Sequence, residues 1–475
     1  MTTVTEPSTP AVPLPPLDLS IPKRLHVIGA AGPGMSAIAL TLAQMGHQVS
    51  GVDIRDRQVL ERLRAAGVTV HIGHNRSHVL GCDAVTASTA ISPDLNELDE
   101  ARKLGATVLS RAGMLASICA QAKSLAVAGT HGKTTTTSML MLIFAEAGLR
   151  PSFVIGGDVT DMGTGAQWTG GEWFVVEADE SDGTHLELPL HGTILTNIDI
   201  DHLDYYGSIE QIEAGFDRYL AQIPGPKVVC ADNLRSARVA AHHDAVTYGM
   251  HETADVRAVA VRADGGSFHF DVERDGAVLT SVHLPLRGEH NVVNATGALT
   301  MAVEVGVDPH VAAAALSKFG GVARRFDIRG HDAGATFVDD YAHLPTEINA
   351  VLRAARDSGD GWKRTIAVFQ PNRYNRMAVM WQEYADAFEA ADLVVLTDIY
   401  SSGTQPIPGV TGKLVLNAVL DAHPQTRVVW LPRREDLITY LAGAVGEGDV
   451  CISMGCGDIA TLPDEVLALR RGAVG

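Results

Sequence analysis

The chain has 475 residues, enough for about three domains, and its 46% hydrophobic and 20% charged residues suit a globular protein that buries real cores. A formal net charge of −19 excludes nucleic acid as the main partner, because a duplex binder neutralises phosphates with clustered lysine and arginine. No apolar run reaches the roughly 18–20 residues that span a bilayer, and five scattered cysteines argue against a disulfide framework, as expected of a cytoplasmic protein.

Residues 1–22 are rich in Pro, Thr and Ser and lack the basic and apolar regions of a signal peptide, so a disordered tail is expected. From Arg24, RLHVIGAAGPGMSAIALTLAQMG reads as a buried strand, a glycine-rich turn and an amphipathic helix. QVSGVD follows as a strand ending on Asp53, and helix–strand alternation continues to about residue 120. Gly29, Gly32 and Gly34 do not match GxGxxG, since Ala31 stands where the motif has its middle glycine. The turn is therefore either a phosphate turn, with Asp53 as the acidic ribose ligand, or a packing turn.

A second unit opens with the strand SLAVAG and the helix TTTTSMLMLIFAEAG. Between them lie Gly129, Thr130, His131, Gly132, Lys133, Thr134 and Thr135. Backbone N–H groups at a helix start cradle phosphate, Lys133 adds charge, and the Thr134 hydroxyl suits Mg²⁺. The motif is not a strict Walker A, which would need glycine at Val127, and the alternative is a tight turn with a solvent-facing lysine. EWFVVEADESDG then puts Glu177, Asp179, Glu180 and Asp182 at a strand end, and TNIDIDHLDYYGS puts Asn197, Asp201, His202 and Asp204 after the next strand. Carboxylates there suit Mg²⁺, with a solvated acidic loop as the alternative. Lys133, Glu177 and His202 are expected to converge on one metal–phosphate site.

Gly265–Leu286 alternates like antiparallel strands, and NVVNATGALTMAVEVG reads as a helix. From about Gly321, the strands ATFVDDY, RTIAVFQP, DLVVLTDIY, RVVWLP and DVCISMG alternate with helical patterns. The whole predicts three α/β domains in series, with parallel sheets covered on both faces.

These stretches, together with GEHNVVNATGAL, RRFDIRG, VDDYAHLPTEI, FQPNRYNRM and DIYSSGTQPIPG, resemble the Mur ligases from residue 24 to about 460. The resemblance implies a Rossmann-like UDP-binding domain (23–121) and a central P-loop-type ATP-binding α/β domain (122–321). A Rossmann-like C-terminal domain (322–475) would bring the amino acid. The implied activity is an ATP-dependent carboxylate–amine ligation in peptidoglycan precursor synthesis. In the branch most resembled, L-alanine joins UDP-N-acetylmuramate through an acyl phosphate.

By the same resemblance, Lys133 bridges the β- and γ-phosphates, Thr134 and Glu177 hold one Mg²⁺, and His202 holds a second. Asn291 and Asn294, with His290 nearby, match adenine-contacting positions; Arg325 matches the linker arginine near the nucleotide, and Asp340 meets ATP. Gly32 and Gly34 offer N–H groups to the diphosphate, with Asp53, His74, Ser88 and Arg111 on the same UDP side. Tyr341, His343, Arg373 and Arg376 fall near the incoming amino acid. Ala31 replaces a usual glycine, and Leu344 and Asn372 stand where alanine-adding members commonly carry histidine. Several Mur ligases use a carbamylated lysine for the second metal; Phe216 occupies that position here, so no carbamate is expected. The rival readings are a recycling ligase that adds an intact tripeptide, an oxidoreductase using the first turn with NAD, and an ATP-binding regulator without chemistry. Intact Lys133, Thr134, Glu177 and His202 speak against the last.

Overall fold

The computed structural model describes residues 15–159 and 163–472. Its first sheet contains β1 (Arg24–Ile28), β2 (Gln48–Asp53), β3 (Thr69–Ile72), β4 (Ala84–Ala87) and β5 (Thr107–Ser110). All pair in parallel, in the order β3-β2-β1-β4-β5. The order reverses between β1 and β4, so the turn after β1 opens at the switch point where open α/β sheets take ligands.

The central sheet begins with β6 (Lys123–Ala128), β7 (Ser152–Val159), β8 (Thr164–Gln167), β9 (Trp173–Glu177) and β10 (Gly192–Leu195). It continues with β11 (Lys227–Cys230), β12 (Val246–Gly249), β13 (Val256–Asp264), β14 (Ser267–Arg274) and β15 (Ala277–Leu284). Their order is β15-β14-β13-β12-β11-β10-β6-β9-β7-β8. β6 lies between β9 and β10, so the loops leaving these three strands emerge side by side. The third sheet contains β16 (Asp327–Asp332), β17 (Ala335–Asp340), β18 (Arg364–Phe369), β19 (Leu393–Leu396), β20 (Val428–Trp430) and β21 (Asp449–Met454), ordered β16-β17-β21-β18-β19-β20.

The antiparallel pattern expected over Gly265–Leu286 is β14 and β15, and the expectation of otherwise parallel sheets is corrected at two more edges, β8 and β16, which also run antiparallel. Gly265-Gly266, Asp275-Gly276 and Ala333-Gly334 all take positive φ, the two-residue hairpin turn that reverses a strand directly and needs no crossover helix. The expected tail of residues 1–22 is also only partly a tail. Its first 14 residues lie outside the described ones, but the Leu17 N–H donates to Ser117 Oγ at 2.9 Å and Leu19 is only 4% exposed. Two leucines among the prolines bury enough apolar surface to hold this segment down.

Leu19 belongs to an apolar core that runs from Ile38 and Leu42 in the helix Pro33–Gln44 to Val154 and Ala166 in the central sheet. The first two domains are therefore joined by packed side chains. The helix Lys133–Glu146 is buried nearly all round from Thr134 to Phe144, because the central sheet covers one side and the helix Glu289–Glu304 crosses another. Its N-terminus is thereby held rigidly at the end of β6.

Candidate active site

The phosphate loop leaves β6 after Ala128. Gly129 takes φ +124°, and any Cβ there would overlap Thr196 Oγ1 on the neighbouring strand end, so only glycine fits. Asn197 clamps the loop: its carbonyl accepts the Thr130 N–H at 3.1 Å, its Oδ1 accepts the His131 N–H at 2.8 Å, and its Nδ2 donates to the His131 carbonyl at 3.0 Å. The helix that follows leaves its first N–H groups without intrahelical acceptors, which makes this end an anion site.

Lys133 is not solvent-facing. Its side chain is only 14% exposed, and Nζ donates to the Gly129 carbonyl at 2.6 Å, the Thr130 carbonyl at 3.1 Å and Glu180 Oε1 at 3.0 Å. Burial pushes the Glu180 carboxyl up to about 7 against the pull of that ammonium. Glu177, ending β9, accepts the Thr134 hydroxyl at 3.2 Å and the Gly156 N–H at 2.9 Å. A hydroxyl and a carboxylate oxygen side by side at a phosphate loop are hard donors of the kind Mg²⁺ takes. His202 takes φ +51°, with Nε2 at 3.1 Å from Asp201 Oδ2 and 3.8 Å from Glu180 Oε1. Burial lowers its pKa and favours neutral imidazole, the form that ligates metal. Lys133 and His202 both approach Glu180, and Glu177 lines the same cavity. The Asp204 side chain lies outside the described residues.

The third domain closes the other side. Arg376 is buried and donates to Asp201 Oδ1 at 2.8 Å and Asn372 Oδ1 at 2.9 Å, so the asparagine that replaces histidine supplies an acceptor for the arginine. Arg373 takes φ +61° at the start of the helix Tyr374–Met380 and lines the same cavity. Tyr341 lies beneath the Arg324 and Arg325 guanidiniums, at 5.0 and 5.1 Å. Burial pushes His343 down to about 4, hence neutral, with Nδ1 at 3.1 Å from the Tyr341 carbonyl. Asp340 accepts the Phe326 and Ala342 N–H groups, both at 2.7 Å, and so holds the linker that carries Arg325.

A cavity of about 720 Å³ lies where all three domains meet. Ala31, Ser36 and Arg62 come from the first domain, Lys133, Glu177 and His202 from the second, and Tyr341, Arg373 and Arg376 from the third. A second cavity, about 310 Å³, is lined by His290, Asn291, Asn294, Arg325 and Asp340. Leu286, Phe319 and Phe326 add apolar walls, the surface on which an aromatic base stacks. Gly132, Arg325 and Glu347 border both cavities, so the phosphate loop is the partition between them.

The UDP-side residues are differently engaged. The Gly32 N–H donates to the Gly29 carbonyl at 3.0 Å and closes the turn. Asp53 accepts the Ala31 N–H at 3.0 Å and so ties β2 to that turn. Gly34 lies under Arg111, whose Nη2 reaches Asp179 and Asp182 in the central domain at 3.1 and 2.9 Å. Ser88 packs beside Gly29, and His74 Nδ1 lies 2.6 Å from Glu97. None of Gly32, Gly34, Asp53, His74, Ser88 and Arg111 lines the three-domain cavity.

Sequence reasoning missed Glu180 as the partner of Lys133, and Glu347. The latter accepts the His343 N–H at 2.9 Å and bonds His131 across the domain boundary at 3.1 Å. Pro345-Thr346-Glu347, a proline at the first helical position and a glutamate at the third, was its visible signal.

Comparison with known proteins agrees with this geometry. Residues 24–123 match the family model "Mur ligase family, catalytic domain", 127–302 match "Mur ligase middle domain", and 324–457 match "Mur ligase, glutamate ligase domain". The chain is 41% identical over 444 residues to the UDP-N-acetylmuramate–L-alanine ligase of Pelobacter propionicus, covering 92% of this chain and 96% of that protein. It is 43% identical over 465 residues to that of Acidothermus cellulolyticus, covering 96% and 97%. Among solved structures, the UDP-N-acetylmuramate–alanine ligase of Thermotoga maritima superposes with a TM-score of 0.80 at 26% identity, covering 95% of this chain and all of that one. A murein peptide ligase from Psychrobacter arcticus reaches 0.67 at 26% identity over the same shares. Three consecutive domain matches and such relatives along nearly the whole length settle the family: the chain belongs to the Mur ligases.

Proposed function

We propose that the chain joins L-alanine to the lactyl carboxylate of UDP-N-acetylmuramate, using ATP, in peptidoglycan precursor synthesis in the cytoplasm. The observation that carries this reading is the phosphate loop standing as the wall between an apolar nucleotide-sized cavity and a cavity walled by all three domains. The adenine would lie by Asn291 and Asn294, with its phosphates running past Gly132 toward Lys133. Thr134 and Glu177 would hold one Mg²⁺, and His202, beside Glu180, a second; the metal supplies neutralisation of phosphate charge.

Lys133 would leave Glu180 for the β- and γ-phosphates and hold the transferring group in line. The lactyl carboxylate oxygen attacks the γ-phosphorus, the bond to the β-phosphate oxygen breaks, and ADP departs. The alanine amine then attacks the acyl carbon of the acyl phosphate. The tetrahedral intermediate expels inorganic phosphate, and the nitrogen gives up its proton. Arg373, with Arg376 fixed by Asp201 and Asn372 behind it, offers the planar donor fork that an amino-acid carboxylate needs.

The test is phosphate release from ATP with UDP-N-acetylmuramate and L-alanine, glycine, L-serine or an intact tripeptide that begins L-Ala-γ-D-Glu, ranked by kcat/KM. Release should require both co-substrates, with alanine first and glycine and serine slower by the roughly 10–200-fold that one methyl or hydroxyl is worth. Glycine equalling alanine would remove the pocket assignment. Turnover with the tripeptide alone would make the chain the recycling ligase.

A further inference from the structure

The face of the first sheet that packs on the helix Asn96–Lys103 carries a histidine cluster that the ligase chemistry does not use. His26 points to that face from β1, alternating with Val27 and in step with Ile28, and is fully buried. Its Nδ1 lies 2.8 Å from Ser50 Oγ, and that hydroxyl donates to the Leu25 carbonyl at 3.4 Å. Ser50 Oγ therefore accepts the Nδ1 proton, and this tautomer leaves His26 Nε2 with a bare lone pair. That nitrogen is buried and has no hydrogen-bond partner. Burial also pushes the His26 pKa down to about 4, so the ring is neutral.

Opposite stands Glu97, also fully buried, which accepts the Asn75 N–H at 2.9 Å. Its two oxygens lie 2.6 Å from His74 Nδ1 and 2.8 Å from His78 Nδ1. Without a cation the carboxylate accepts an Nδ1 proton from each ring; a cation beside Oε1 would take the His78 Nδ1 lone pair instead, with that ring's proton on Nε2, while His74 keeps donating to Oε2. His71 stacks on His78, with ring centroids 4.0 Å apart. One donor atom from each of His26, His78 and Glu97 lies within 4.8 Å of the others.

An unpaired nitrogen in a buried cluster is costly unless something binds it. The His26 imidazole, whose Nδ1–H is fixed by a hydroxyl, is oriented as metal-ligating histidines are. We propose that His26, His78 and Glu97 form a site for a zinc-class divalent cation, structural to the first domain and separate from the phosphate-loop metal site. Two imidazoles and a carboxylate make a zinc donor set with one position left for solvent, whereas Mg²⁺ prefers oxygen donors and disfavours such a set. The proposal stands whether or not the chain ligates alanine.

The test is zinc content. The chain is stripped with chelator, exposed to zinc in excess Mg²⁺ at neutral pH, desalted and assayed for metal. One equivalent is expected in the unaltered chain, together with a zinc-dependent rise in Tm. His26→Asn risks unfolding because the ring is wholly buried, so His78→Ala, 13% exposed at the rim, carries the comparison. It should lose both the equivalent and the Tm rise. His423→Ala, in the exposed Asp386–Glu389–His423 group, should keep both. Absence of a stoichiometric zinc in the unaltered chain overturns the site, as does full retention by His78→Ala. Loss confined to His423→Ala overturns it by placing the cation on the exposed group.

Discussion

Lys133 pairs with Glu180 and donates to two loop carbonyls, so the charge that the reaction needs also holds the loop together. Lys133→Ala should lower turnover about a hundred-fold or more, the scale of losing a preorganised charge at a transferring group. The fold should survive, because Glu180, which burial raises to about 7 against the pull of Lys133, rises further and takes a proton more readily once that partner is gone. The sign of the pH effect follows: a carboxyl raised above its unfolded value stabilises the native state while protonated, and that contribution is lost as pH rises through the folded pKa. The variant should therefore melt lower than the unaltered chain at pH 8 and approach it at pH 6, which thermal melts at the two values would check. Phe216 bears on metal charge. It is fully buried between His185 and Tyr219 and presents no nitrogen to carbamylate. Activity in rigorously CO₂-free buffer should equal that of controls, and rescue by bicarbonate would put a carbamate elsewhere in the site.

At the scale of elements, the start of the helix Pro345–Arg356 is bolted to the phosphate loop. Burial alone would lower the pKa of His131, but hydrogen bonds to Asp199 and Glu347 raise it to about 9. Arg235 and Thr346 approach Asp199, and His343 and Arg325 face Glu347, so the imidazolium sits in a balanced charge network. A histidine raised above 6.5 gives its full stabilisation below that pH and loses it as pH climbs toward 9. Stability should fall between about pH 7 and 9, and His131→Gln should flatten that slope in thermal melts. The N-terminal segment makes the same kind of contact through apolar packing. Leu19→Ala should cost about 2–3 kcal/mol, readable as a lower urea midpoint, because it empties a buried position in the core shared by two domains.

Across the whole molecule, charged side chains at the domain boundaries converge on the catalytic cavity. Arg111 joins the first domain to Asp179 and Asp182, Arg62 reaches Asp158, and Arg376 joins the third domain to Asp201. The last pair is buried on both sides, where removing one partner strands the other's charge at a cost of about 3–5 kcal/mol. Arg376→Lys keeps the charge but lacks the fork that reaches Asp201 and Asn372 together. Its kcat/KM should fall by about ten- to hundred-fold, mostly through KM for the amino acid, with KM for ATP little changed; steady-state kinetics with each substrate varied would separate the two.

What the sequence determined by itself is local in origin. The G-T-H-G-K-T turn was legible because strand, glycine and helix start are neighbours in the chain, and the third domain's five parallel strands were legible as short apolar runs between helical patterns. The antiparallel edges were less so: Gly265–Leu286 alternated visibly, whereas β8 and β16 are short, polar strands whose identity depends on the neighbour they pair with. Only the tertiary structure decided that Lys133 pairs with Glu180, 47 residues away, that Asn372 anchors Arg376, and that Glu347 reaches His131 across 216 residues. It also decided that the Gly32 amide closes its own turn. A residue type and its spacing say which chemistry a side chain can do. Which partner it meets is fixed by how sheets, helices and domains pack, because burial and charge balance are properties of the assembled surroundings.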